Sequence, residues 1–579
     1  MDALLIMVVA FAGYIIMYNL YGRFIGNKIF KLSGTAVTPS TELEDGVDYV
    51  PTKKEVIFGH HFTSIAGTGP IVGPAVAVIW GWVPAMIWIF VGSIFMGAVH
   101  DFGALIISMR NQGKSIADYT AKYVNNRTRF LFFLLVFLEL WIVIAIFGLV
   151  IAVVFAIYPT SVLPVWFEVV IAVYLGHMIY KKGKSIMTWS IIAVVAMYVT
   201  VAIGAYMPMK MPAIAGIPAT GVWTIILLAY AFIASTLPVT TLLQPRDFIN
   251  SHQLVIAMTL LILGVLASTF GGNLEIVAPA VQTTPAEAPP MWPFLFITIA
   301  CGAISGFHSL VSSGTSSKQV RTEADSLFVG YGSMLMEGSL ATLVIIAVAA
   351  GIGMGYTTQS GEILTGVPAW TTHYSSWTAA AGLGSKIGAF VNGAANMIAS
   401  TGLSMKIAIV VMGVFVASFA GTTLDTATRI QRYIISEIFG NLRMPFLTGK
   451  YVATFIAVFT ALVLAFATGA GGKGALKLWP LFGAVNQTLA ALALIIITVY
   501  LKGKGGMKWV ISGIPAVLMA FMTIWALFLN QTKFGTQHNL LLQVINGVIL
   551  VIAVWIVVEG VLKFMTIREE LSEELSEES

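Results

Sequence analysis

The chain has 579 residues, 58% of them hydrophobic and 10% charged, with a mean hydropathy of +0.90. These values exclude a soluble globular protein and indicate an all-α polytopic membrane protein. The net charge of +5 resides mostly in short loops between apolar runs, which removes the case for a nucleic-acid partner, and Cys301, the single cysteine, excludes internal disulfides and cysteine-ligated metal centres.

In chain order, the N-terminus has no basic leader and reads as a retained helix rather than a signal peptide. Apolar spans of roughly 20 residues fall near 3–21, 56–79, 84–109, 130–157, 165–180, 185–206, 221–243, 253–272, 292–317, 325–355, 402–424, 450–468, 478–501, 508–529 and 540–562. That is about 15 transmembrane helices. The segment 386–400 is shorter and carries Asn392, Gly393 and Asn396; it reads as re-entrant or interfacial, because a full crossing would put the basic stretch Arg429–Lys450 on the wrong side. The first loop, with Arg23, Lys28, Lys31, Lys53 and Lys54, is then cytoplasmic, with the N-terminus outside and the C-terminus inside. Lys210, Lys473, Lys477 and Lys533 fall outside, against the rule. Residues 1–565 are expected to form one transmembrane domain. Its core covers about 56–424, with peripheral helices at 1–22 and 450–565, and 566–579 is a polar acidic tail.

The second span is the informative one. Gly59–Pro74 places two histidines, several hydroxyls, four glycines and two prolines inside a run long enough to cross a bilayer. Pro70 and Pro74 remove backbone donors and the glycines weaken the helix, so the spacing predicts a break near the midplane. Such a break survives only beside protein or an aqueous cavity, which points to a secondary transporter built on discontinuous helices. Two repeat registers are open. One pairs His61 and Gly67-Thr68 with His308 and Gly314-Thr315, seven spans later and so inverted; the other pairs Gly59–Pro74 with Ala234–Asp247.

Candidate substrate-binding residues are His61, Ser64, Gly67, Thr68, Gly69 and Pro70 with His308, Ser312 and Thr315. Helical spacing lines up the histidines and hydroxyls of each set, which could meet a substrate carboxylate or simply tie neighbouring helices together. Asp101 and Glu337 lie deep within spans, where a lone charge costs about 2.5–3.5 kcal/mol; with His100 they are the candidate proton-coupling groups, and Asp101 could pair with His100 or with a histidine of another span. Glu139 has almost wholly apolar neighbours and is expected to make a constant structural bond. Ser313, Ser316, Thr422 and Thr423 could ligate sodium, or serve helix packing, so proton and sodium coupling both stay open. Asp425 beside Arg429 reads as a surface pair. No Walker motif and no HExxH occurs, which weighs against an ATP-driven pump and a zinc protease. No cofactor or metal is expected, and the chain reads as a carrier rather than an enzyme. A channel is the alternative of a different class.

Three stretches, FGHHFTSIAGTGPIVGPAVAVIWGWVPA from Phe58, GAVHDFGALIISMRNQGKSIADY from Gly97 and GFHSLVSSGTSSKQ from Gly306, closely resemble the carbon starvation protein A family. The resemblance covers most of the chain. It implies an inner-membrane nutrient transporter of starved bacteria, linked to peptide uptake and in some members to proton-driven pyruvate uptake, with an inverted-repeat core like that of amino-acid and sodium symporters. The chain is shorter than the longest members, so functions tied to extra C-terminal spans do not carry over.

Overall fold

The computed structural model describes residues 2–358 and 360–567; the acidic tail expected at 566–579 lies almost entirely outside them. Apart from short loop helices such as Ile116–Tyr123, the helices, in chain order, are α1 (Asp2–Ile29), α2 (Lys54–Ala66), α3 (Gly69–Ala77), α4 (Trp82–Met109), α5 (Asn126–Ile157), α6 (Pro159–Lys181), α7 (Ile186–Gly204), α8 (Ala219–Thr236) and α9 (Leu243–Phe270). They continue with α10 (Met291–Thr298), α11 (Gly306–Gly314), α12 (Leu327–Met354), α13 (Leu383–Ala399), α14 (Met405–Asn441), α15 (Lys450–Phe466), α16 (Trp479–Gly503), α17 (Val510–Thr536) and α18 (Leu540–Thr566). Thirteen described helices, with the α2–α3 stretch Lys54–Trp80 taken as one, are long and apolar enough to cross a membrane. The shorter α15 and the broken pair α10–α11 complete the crossings.

Two crossings are discontinuous. The first breaks at Gly67, whose φ of +41° suits glycine, and restarts at Gly69 with Pro70 in its first turn, where a missing N–H costs nothing. The second breaks between Thr298 and Gly306, with Gly302 at φ +92°. They run antiparallel. Gly73 faces the Thr298 carbonyl, Gly69 faces Cys301, and the Trp80 indole donates to Pro289 O at 3.2 Å. A Cβ on Gly73 would come within 2.6 Å of Thr298 O, so glycine is what lets the two backbones touch. The packing decides which crossing is central: 94% of the apolar window in Lys54–Trp80 is buried by protein, against 22% in α1.

Around these two crossings the contacts repeat with inverted symmetry. α3 packs on α12 as α11 packs on α4; α5 meets α15 as α14 meets α8; and α2 lies on α9 while α10 lies on α16. The partners are thus the segments 54–270 and 291–503, with the α6–α7 hairpin inserted in the first. α15 and α16, set outside the core when the chain is divided by sequence, pack within this scheme. The broken segments are those seven spans apart, yet the histidine spacing is not the register that relates them: His61 precedes its break at 67–68, whereas His308 follows the break at 299–305. In the rival register, Leu237–Leu242 is only the turn between α8 and α9.

α13 is re-entrant. α12 begins just after Lys318, whose ammonium sits 3.8 Å over the Tyr433 ring near the end of α14. The chain therefore leaves α12 and enters α14 on the same opposite face, and the excursion between them makes no net crossing. It contains a two-residue antiparallel ribbon, β1 (Tyr356–Thr357) and β2 (Ile363–Leu364), followed by α13, which is wedged against α3, α9, α12 and α14. Glycines set that wedge. A Cβ on Gly393 would strike Ala347 O, while one on Gly388 would meet nothing within 4 Å. Gly393→Ala is accordingly expected to destabilise the detergent-solubilised protein by about 1–3 kcal/mol through overpacking. Gly388→Ala, by contrast, should stabilise α13 by up to about 1 kcal/mol through helix propensity. Equal melting temperatures for the two variants would refute this seating of α13.

Candidate functional site

The two breaks enclose a small cavity of about 30 Å³, lined by Gly67, Thr68, Gly69, Phe147, Ser305 and Thr423 among others. That exceeds the roughly 10–15 Å³ one water needs, but it leaves no room for a substrate without movement. On the side away from the basic loops it adjoins a larger cavity of about 240 Å³. Gly69, Val72 and Cys301 line both. Of the residues expected to hold substrate, Gly67, Thr68 and Gly69 line the inner cavity, and Pro70 is buried beside Gly302. His61, Ser64, His308, Ser312 and Thr315 do not line it. They form a buried polar layer between the cavities and the basic face. There His61 Nδ1 lies 2.8 Å from Ser316 Oγ, and His60 bridges Asp247 Oδ2 at 2.6 Å and Thr315 Oγ1 at 2.5 Å. Ser64 pairs with Thr426 at 3.0 Å. His61 Nε2 and Ser312 Oγ have no hydrogen-bond partner among the described residues.

The coupling candidates do converge. Asp101 accepts from His100 Nδ1 at 2.7 Å and from His308 Nδ1 at 2.9 Å, so it takes the neighbouring histidine and the distant one together. The second nitrogen of His308 faces Glu337 Oε2 at 3.4 Å, and Glu337 Oε1 accepts from the Gly302 amide at 2.9 Å. All four side chains are fully buried. The consequence is a chain of proton-accepting groups, His100, Asp101, His308 and Glu337, that ends on the backbone of the second break. An imidazole between two carboxylates can hold a proton for either one. Cys301 Sγ, a ring nitrogen of His308 and a Glu337 oxygen lie within 4.8 Å of one another, so a site with one cysteine ligand is geometrically open here, contrary to the expectation that a single cysteine excludes it.

The sodium candidates do not gather at one point. Ser313 donates to Ser309 O and accepts from the Ile116 amide, Ser316 is taken by His61, and Thr422 accepts from Asn250. Thr423 alone reaches the break, donating to Ser64 O at 3.2 Å. Two acids differ from expectation. Asp425 is not a surface residue: it is 1% exposed, ion-paired with Arg246 of α9 and bonded by Tyr230 at 2.9 Å, because its partner comes from a helix distant in sequence. Glu139 makes no structural bond, since neither oxygen has a partner among the described residues. Arg246, Glu168 and Ser418, which sequence reasoning did not assign to the site, join Asp425 in a second buried polar cluster. Glu168 on α6 has no basic neighbour in sequence that would have signalled it.

The basic face is closed by Asp48, in the loop before α2. It takes Arg429 at 2.6 Å and Arg432 at 3.0 Å, both from α14. Burial pushes the Asp48 carboxyl up, but the two guanidiniums outweigh it and hold the value at about 2. With the folded value depressed below the ordinary carboxylate value of about 3.9, this lock is complete above that pH and is lost only as pH falls through about 2. It is therefore constant across the physiological range.

Comparison with known proteins fits this architecture. The family model described as carbon starvation protein CstA matches residues 2–526. A protein named peptide transporter CstA from Campylobacter jejuni is 34% identical over 585 residues, covering 90% of this chain and 80% of its own. The Escherichia coli protein named pyruvate/proton symporter BtsT is 32% identical over 93% of this chain and 82% of its own. Among solved structures, a manganese transporter from Eremococcus coleocola superposes with a TM-score of 0.52 over 91% of this chain and 99% of that one. At 11% identity, that likeness speaks for the fold alone. The chain is thus a multi-pass membrane protein with a transporter fold, and it belongs to the carbon starvation protein CstA family.

Proposed function

We propose that the chain is a proton-driven carrier of small carboxylate-bearing nutrients, pyruvate or short peptides, working by alternating access in the bacterial inner membrane. The names of its relatives support the substrate class. The observation that carries the proton reading is the relay His100, Asp101, His308 and Glu337, which ends at Gly302, next to the floor shared by the two cavities. With the basic loops in the cytoplasm, the larger cavity opens outward, the N-terminus lies outside and the C-terminus lies inside. The inner cavity is closed toward the cytoplasm by the buried polar layer and by the Asp48 lock, an arrangement that favours a carrier over a channel.

Coupling follows from charge. A substrate carboxylate entering between the half-helices is repelled by an ionised Glu337 and accepted beside a protonated one. Binding of the anion therefore favours proton uptake, and by reciprocity the proton favours binding. Half-helix N-terminal amides add a positive field at the break. Release to the cytoplasm requires the Asp48 contacts to part so that α2 can swing from α14. A second reading, sodium coupling, has one observation in its favour: the Ser64 carbonyl and the hydroxyls of Ser64, Thr423 and Thr426 cluster at the first break.

Counterflow in proteoliposomes with labelled pyruvate and labelled dialanine, with and without pH and sodium gradients, is the decisive experiment. Exchange of neither substrate would overturn the substrate class, and uptake driven by sodium alone would overturn the relay. Asp101→Asn is expected to keep exchange within about threefold of wild type while gradient-driven accumulation falls by about tenfold or more. Normal accumulation would remove Asp101 from the coupling path. Apparent substrate affinity should rise as pH falls, by at most about tenfold per pH unit for one linked proton, and Glu337→Gln should flatten that dependence; an unchanged slope would exclude Glu337. Asp48→Asn should shift the population away from the outward state and slow labelling of Cys301 by an impermeant thiol reagent from outside by about tenfold. Unchanged labelling would mean that Asp48 is no gate.

A further inference from the structure

The cavity of about 240 Å³ has a polar character that the relay does not use. Lys386, in the first turn of α13, lines it and is only 6% exposed. Its ammonium lies 5.3 Å from the centre of the Trp479 ring and has no ion-pair partner among the described residues. A buried ammonium without a carboxylate is costly, and such a group is stable only where something else supplies the missing charge or hydrogen bonds. Asn530, 4% exposed, lines the same cavity, and its Nδ2 has no partner among the described residues. At the rim stands exposed Lys533, one of the few lysines that contradict the topology rule. No Asp or Glu is found among the described residues lining the cavity.

We propose that Lys386 and Asn530 form an outer anion site, which takes the carboxylate of a small organic acid before that group reaches the break, with Lys533 drawing the anion to the rim. The site rests on the carboxylate reading given above and adds the residues that select for it. Its geometry explains the order of events. The outer cavity shares Gly69, Val72 and Cys301 with the inner one, so an acid held by Lys386 lies in a cavity that borders the break between the half-helices. The apolar walls, Phe294, Phe482 and Trp479 among them, suit the short carbon body of such an acid. Transfer inward then exchanges one buried cation for the amides and the protonated carboxyl below it. α13 itself is positioned to respond, because it packs on α3 and α12, the helices that carry the first break and Glu337.

Two measurements test the site. In proteoliposomes, Lys386→Gln should raise the half-saturating concentration of labelled pyruvate or dialanine by about tenfold or more while leaving the maximal rate within about twofold. Lys386→Arg should recover most of that loss, and Lys406→Gln, at an exposed lysine on the same face, should change neither. The substrate whose half-saturation moves identifies which carboxylate the site serves. The second readout needs no transport: acetate, pyruvate or dialanine added to purified protein should change the Trp479 fluorescence, taken as wild type minus Trp479→Phe, and ethylammonium should not. That response should vanish in a folded Lys386→Gln variant, with folding checked by its melting temperature. If wild-type vesicles transport neither substrate but the fluorescence response to acetate persists and depends on Lys386, the substrate reading fails and the anion site stands. An unchanged half-saturation in Lys386→Gln, or a fluorescence response that survives it, overturns the site.

Discussion

An ionised carboxylate cannot sit alone in hydrocarbon, and the structure meets that constraint at Asp101 with two imidazoles drawn from opposite halves of the inverted repeat. His100 comes from its own helix and His308 from the half-helix beyond the second break. The interaction therefore joins α4 to α11, and through His308 it reaches Glu337 on α12. Glu337 in turn anchors the irregular backbone at Gly302. Without this chain the second break would have a buried amide unsatisfied and two carboxylates facing lipid-depth surroundings. The same contacts that make the break tolerable also make it sensitive to protonation.

From that junction the rest of the molecule follows. Broken backbone must be surrounded by protein, so the two interrupted crossings are largely buried, whereas the least buried apolar helices are α1, the α6–α7 hairpin and α18. Small residues permit the antiparallel approach of the half-helices, with Gly69 against Cys301 and Gly73 against the Thr298 carbonyl. The polar layer between the breaks and the basic face is shared by both halves: His60 with Thr315, His61 with Ser316, Ser64 with Thr426. Of these, the Ser64–Thr426 bond joins α2 to α14, so on the reading proposed above, opening toward the basic face would break it along with the Asp48 ion pairs.

How much of this was legible depends on whether the signal was local. The first break was readable because proline and glycine crowded into one apolar run deprive the helix of donors and stiffness at a single point. The second, at Ile299–Ser305, contains no proline, and the histidine-to-glycine-threonine spacing suggested the right pair of segments in the wrong register. Asp101 and Glu337 stood out because acids are rare at that depth, and for Asp101 the neighbouring His100 or a histidine of another span could be named as partner, whereas the pairing of Glu337 with His308 could not. Arg246 with Asp425 could not be read: the arginine nearest in sequence to the acid is Arg429, and that side chain belongs to Asp48 instead. Nor does sequence distinguish Glu139, which lacks any partner among the described residues, from an acid with a constant bond. Lys386 passed as the boundary of a short helix because what sets it apart is an absence, that of any carboxylate among the described residues lining its cavity, which only three dimensions reveal.

The distribution of charge between the two cavities is the last step. Among the described residues, cations without acids line the outer one, whereas acids held by imidazoles stand behind the inner one. On the reading proposed above, an anion moving inward would pass from a site that holds it by fixed positive charge to one that accepts it only when a proton has neutralised Glu337. Fixed charge alone would bind the solute and keep it, while titratable charge alone would bind it weakly at the pH of the medium. Placed in series, the first would supply capture and the second conditionality, and in a proton-driven carrier that order gives the proton a thermodynamic reason to travel with the solute rather than leak ahead of it.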